Sequence, residues 1–166
     1  MYDNLESLWR DTLVKNPGSY MPHYNLGKLL LDRGDHAEAV AQFDLALTRR
    51  SNLVEAQNSA GQALLRMNRL EDAMARFNLA LQIDPDYPPA HNNMGLLLAA
   101  QGKPEQAIEH YRSALAKSPD FVEAQNNLGV ALSATGDSAG AIEQFLAVLA
   151  AHPEEITARI NYAIAL

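Results

Sequence analysis

Apolar residues recur along the chain at the three- and four-residue spacing of a helix face, and polar residues fill the positions between them. The pattern breaks at Gly34, Asn68, Gly102 and Gly136, residues that tolerate the left-handed conformation in which a helix can end. Asp35, Asp137 and the Lys103-Pro104 pair follow these breaks and supply N-cap or first-turn chemistry for the next helix. Each segment therefore reads helix, tight turn, helix. First, or A, helices are expected near 20–33, 54–67, 88–101, 122–135 and 155–166. Second, or B, helices are expected near 3–15, 36–49, 70–83, 104–117 and 138–150, closed by Pro17, Pro85, Pro119 and Pro153 or, once, by Ser51. Proline stops a helix because it lacks a donor and clashes backwards.

These breaks lie on a thirty-four-residue period. Gly27, Gly61, Gly95 and Gly129 fall in register, as do Ala39, Ala73, Ala107 and Ala141. So do Trp9, Phe43, Phe77, Tyr111 and Phe145, with Ala46, Ala80 and Ala114 behind them. The glycine and alanine ladders let neighbouring helices approach, and the aromatic fills the gap between layers. A fixed period of this length marks an array whose stability is a sum of repeat and interface terms.

The motif His91-x2-Met94-Gly95-x2-Leu98, then Ala107-x3-Tyr111-x2-Ala114 and Pro119, resembles the tetratricopeptide repeat over nearly the whole chain. The frequent tryptophan slot of that family holds His23, Gln57, His91 and Gln125 here, its tyrosine slot holds Leu30, Leu64, Leu98 and Leu132, and Val148 replaces an alanine. None of these changes disturbs the packing logic. The resemblance implies an all-α fold, an α-solenoid of antiparallel helix-turn-helix repeats forming a right-handed superhelix. Its parts would be a B helix and linker at 1–19, full repeats at 20–53, 54–87, 88–121 and 122–155, and the first helix of a further repeat at 156–166. The uncapped ends, with Ile156, Ile160, Tyr162, Ile164 and Leu166 at one of them, suggest a piece of a longer protein or self-association.

In the tetratricopeptide family the A helices line a concave groove that accepts extended peptides. The positions such a groove would use show a further regularity: Asn25, Asn93, Asn127 and Asn161 lie on the period, interrupted by Ser59, with Asn58, Asn92 and Asn126 just before them. A primary amide offers two donors and an acceptor, so it can pair with a peptide backbone without reading side chains. This ladder resembles the one in the repeat arm of O-linked N-acetylglucosaminyltransferases. The other reading is that these amides solvate or brace the A helices. The family's carboxylate clamp for chaperone tails is not matched, since Tyr24, Lys28, Ser59, Pro89 and Asn93 stand where its basic and amide residues belong, and Glu123 and Asn127 fail it one repeat later.

Thirteen basic against twenty acidic residues give a net charge of -7, which opposes the phosphate neutralisation that nucleic-acid binding needs. No stretch approaches the roughly 20 apolar residues of a membrane span, so this segment is expected to make no membrane contact. With zero cysteines, disulfides and thiolate chemistry are excluded and the compartment stays open; the cytoplasm is the expectation. His23, His36, His91, His110 and His152 never form the i, i+4 pair of a metal-binding helix, and His23 and His91 share one repeat slot, as packing residues do. No catalytic assembly, metal site or cofactor is expected. The function read from the sequence is a non-catalytic scaffold for a protein or peptide partner. The alternatives are the substrate-recognition arm of a glycosyltransferase, including a membrane-anchored one that Leu8-Trp9, Asn16-Pro17 and Asn25-Leu26-Gly27 resemble, or an end-to-end self-assembly module.

Overall fold

The computed structural model describes residues 5–165, and among them every regular element is an α-helix. In chain order these are α1 (Leu5–Lys15), α2 (Tyr20–Arg33), α3 (His36–Arg49), α4 (Val54–Arg66), α5 (Leu70–Ile83), α6 (Pro88–Ala100), α7 (Pro104–Lys117), α8 (Val122–Ala134), α9 (Ser138–Ala151) and α10 (Ile156–Ala165). The helices expected from the sequence are present to within a residue at the ends that are described. The expected start at residue 3 and end at Leu166 lie outside the described residues.

The chain forms two compact units, Met1–Pro85 and Asp86–Leu166. In the first, α2 packs on α3 and α4 on α5, while α3 joins the pairs and α1 lies against α2. In the second, α6 packs on α7 and α8 on α9, α7 contacts α8, and α8 touches both α6 and α10.

Each hairpin turns on one left-handed residue. At Gly34, φ is 90°; its N–H bonds Leu31 O at 3.1 Å and the next N–H, of Asp35, bonds Leu30 O at 2.9 Å. Asn68 does the same at φ 57°, with Arg69 N–H on Leu64 O at 2.9 Å. Two otherwise orphaned carbonyls are satisfied at each turn, so the reversal needs only two or three residues between the helices. Pro104 opens α7 as expected, and the Asp137 carboxylate accepts from Gly140 N–H at 2.9 Å. Asp35 departs from expectation. It makes no capping bond to α3 and accepts instead from the Arg33 guanidinium, a charge-assisted contact that competes with a neutral amide for the carboxylate.

The core repeats with the period. Ala39, Ala73, Ala107 and Ala141 are fully buried, and so are the rings of Phe43, Phe77, Tyr111 and Phe145, while Trp9 is half-buried. Each buried ring lies against the glycine of its own hairpin. A Cβ added to Gly61 would sit 2.5 Å from Phe77 Cε1, and one added to Gly95 would sit 2.5 Å from Tyr111 Cε1. The glycine ladder is therefore a set of ring seats inside each helix pair. Burial also raises the Tyr111 phenol above its ordinary pKa.

Candidate functional site

Side chains on the A-type helices α2, α4, α6, α8 and α10 carry the amide residues read from the sequence. In the first unit Asn25 of α2 is half-buried and Asn58 of α4 is buried. In the second, Asn92 and Asn93 of α6 and Asn126 of α8 are buried, whereas Asn127 of α8 and Asn161 of α10 are half-buried. The row is thus not uniform. Asn127 Nδ2 donates to Asn92 Oδ1 at 2.9 Å and ties α8 to α6, so bracing is one use of these amides. Asn126 Oδ1 is buried with no hydrogen-bond partner among the described residues.

Two grooves receive members of the row. One, of about 320 Å³ in the second unit, is lined by Val130, Ser133, Ala134, Phe145, Asn161 and Ile164. Another, of about 340 Å³ in the first unit, is lined by Tyr20, Met21, Tyr24, Asn25, Arg50, Leu53 and Glu55. Asn25 and Asn161 occupy the same repeat position four periods apart. The first groove is aromatic and charged: Arg50 donates to the Tyr20 hydroxyl at 3.0 Å and its guanidinium lies 5.2 Å from the ring centre. Tyr24 packs 6.0 Å from Phe43, and burial, then the Glu55 carboxylate, raises its phenol pKa.

A second polar feature joins the A helix to its own B helix in the first three hairpins. His23 Nδ1–H donates to Gln42 Oε1 at 2.9 Å, across α2 and α3. One period on, Arg76 Nη1 donates to Gln57 Oε1 at 3.2 Å while its other nitrogen reaches Asp44 at 2.6 Å. One period further, the Nδ1 atoms of His91 and His110 lie 3.0 Å apart, so one imidazole donates and the other accepts. The fourth hairpin breaks the series, since Gln125 Nε2 donates to Pro119 O at 2.9 Å. Burial, and secondarily the neighbouring His91, lowers the pKa of His110. His23 and His91 are half-buried bridges as well as packing residues. The signal was available in the sequence, because the partners stand nineteen residues apart at the same two repeat positions. Among the described residues, no group of three or more histidine, aspartate or glutamate side chains is placed to hold a metal ion. No described helix is long and apolar enough to cross a membrane.

A family model described as tetratricopeptide repeat matches residues 6–54 and 92–165, and another, described as TPR repeat, matches residues 61–102. No curated protein sequence matches the chain. Among solved structures, TTC0263, a thermophilic TPR protein of Thermus thermophilus, is 23% identical with a TM-score of 0.83, over 96% of this chain and 88% of that one. PilF of Pseudomonas aeruginosa is 21% identical with a TM-score of 0.82, over 89% and 67% of the two chains. YrrB, described as a TPR protein with an unusual peptide-binding site, is 23% identical with a TM-score of 0.73, over 95% and 81%. At these identities the structural likeness establishes the fold, and the matched models establish membership. The chain belongs to the tetratricopeptide repeat family, whose all-α helical repeats serve generally as non-catalytic scaffolds for protein or peptide partners.

Proposed function

We propose that this chain binds an extended segment of a partner protein through amides on its A-type helices and performs no catalysis itself. The observation that carries this reading is the placement of Asn25 and Asn161: the same repeat position lines a groove in each unit. A primary amide there can meet a backbone N–H and C=O together, which suits capture of a chain with little demand on its side chains. Asn127 gives one N–H to Asn92 and keeps its carbonyl oxygen for a ligand. Of the buried amides, Asn92 holds the half-buried Asn127 in place. The peptide-binding site ascribed to YrrB is compatible with this use of the fold. The acidic balance of -7 argues for a protein rather than a nucleic-acid partner.

Peptides selected from a random display library against the whole chain would test the proposal. Asn25→Ala and Asn161→Ala should each weaken a selected peptide about tenfold, or about 1.4 kcal/mol. Unfolding free energies should stay within about 0.5 kcal/mol of wild type, as for surface changes. Unaltered affinity, or a loss of stability that matches the loss of affinity, refutes it.

A further inference from the structure

The groove of the second unit is apolar where that of the first is charged. Val130 and Ile164, which line it, are 51% and 76% exposed, and Leu96 at the equivalent position of α6 is 36% exposed. All three stand one residue past the ring-seat position of their helices, Gly95, Gly129 and Ala163. The first unit has Lys28 and Gln62 at that position. A water-facing row of leucine, valine and isoleucine at one register marks a contact surface.

The spacing of the row constrains what can lie on it. Helices α6, α8 and α10 are consecutive neighbours, and packed helix axes stand roughly 8–10 Å apart. A ligand crossing them must therefore present an apolar side chain at about that interval. A β-strand repeats its face every two residues, about 6.6–6.8 Å, which is too short. A polyproline II helix repeats its face every three residues, about 9.3 Å, and leaves its whole backbone unpaired for side-chain amides to meet. The charges point to the flanks of the same ligand. Residues 86–166 hold four basic and nine acidic side chains, yet α6, α8 and α10 contribute only Glu123 and Arg159 to that total. An apolar stretch bounded by lysine or arginine complements an apolar track in an acidic unit.

We propose that the second unit binds a polyproline II segment with a large apolar residue at every third position and basic flanks. The apolar side chains rest on Leu96, Val130 and Ile164, and Asn127 and Asn161 hold the backbone. This rests on the peptide-binding reading above and names the class of peptide.

The probe is a fluorescein-labelled peptide, Lys-Lys-Leu-Pro-Pro-Leu-Pro-Pro-Leu-Lys-Lys, titrated with the whole chain and followed by anisotropy. Saturable binding is expected, weakened about tenfold or more by Val130→Asp or Ile164→Asp and unchanged by Lys28→Ala. A peptide of the same composition with its three leucines adjacent should bind about tenfold more weakly, and glutamate flanks should weaken binding further. If the rearranged peptide binds equally, or Val130→Asp has no effect while Asn161→Ala still weakens binding, the three-residue register is wrong and the peptide reading survives. If neither this probe nor any library-selected peptide binds, both fall. Sedimentation showing a dimer that Val130→Asp dissolves would assign the face to a second copy and overturn the proposal.

Discussion

Replacing Gly61 by alanine sets two local effects against each other. On a bare helix the exchange favours alanine by about 1 kcal/mol. In its hairpin the new methyl would lie 2.5, 2.7 and 3.1 Å from Cε1, Cδ1 and Cζ of Phe77, where ordinary carbon contacts begin near ~3.5 Å. The ring must retreat by about 1 Å from that contact distance, and it is fully buried together with Ala73 and Ala80, so the movement spreads into the layer. Overpacking of this kind costs about 1–3 kcal/mol, which leaves a net loss of up to about 2 kcal/mol after the propensity gain. Phe77→Leu opens space over the same glycine, so the double variant should be more stable than the sum of single effects by at least about 1 kcal/mol. Urea unfolding followed by far-ultraviolet circular dichroism measures all four states of the cycle. Gly102→Ala is the control, with φ 72° and no atom within 4 Å of the added carbon: it should lose stability through backbone strain alone and add independently to Phe77→Leu. If Gly61→Ala stabilises by the bare-helix amount, or the cycle is additive, the ring-seat reasoning is wrong.

Other variants read other parts of the structure. Phe77→Ala empties a fully buried site and should cost about 3–5 kcal/mol, whereas Ala73→Leu overfills one and should cost about 1–3 kcal/mol, both in the same urea assay. Asn127→Ala removes the donor to buried Asn92 Oδ1 and should cost about 1–3 kcal/mol, unlike Asn161→Ala, and matching values would show that the brace contributes nothing. The lowered pKa of His110 means that the unfolded chain takes up protons first, so the stability it contributes is complete above the ordinary value of 6.5 and is lost as pH falls through the folded value. The slope of unfolding free energy against pH just below 6.5 should therefore flatten in His110→Gln, and an unchanged slope would assign the dependence elsewhere.

The helix boundaries were legible in the sequence because each reversal is local: one residue at positive φ and two backbone bonds set it, whether the residue is Gly34 or Asn68. Asp35 and Asp137 show where local reading stops. Both stand before a B helix, but Arg33 captures the first carboxylate and no arginine stands two residues before the second. The glycine and aromatic ladders were also visible, but sequence spacing left open which helix each glycine admits; the structure places the ring of its own hairpin there. The amide row was visible as a row and not as two populations. Asn126 and Asn127 are adjacent in sequence, yet one is buried and the other half-buried, a distinction set by the helices packed around them. The histidine bridges escaped because their partners lie nineteen residues away across a turn, beyond any single-helix spacing. The apolar row at Leu96, Val130 and Ile164 escaped too, since exposure of a periodic leucine cannot be read from its period.

Every fully buried ring finds its glycine sixteen residues upstream, from Gly27 and Phe43 to Gly129 and Phe145. A block of thirty-four residues copied or excised by recombination therefore carries its own plug and its own hollow, whichever neighbours it is spliced between. Growth or shrinkage of the gene in such blocks disturbs joints but orphans no aromatic side chain. A length change inside the sixteen residues that separate a glycine from its ring strands that ring without its hollow, which is a physical reason for this interval to persist unslipped through all four hairpins.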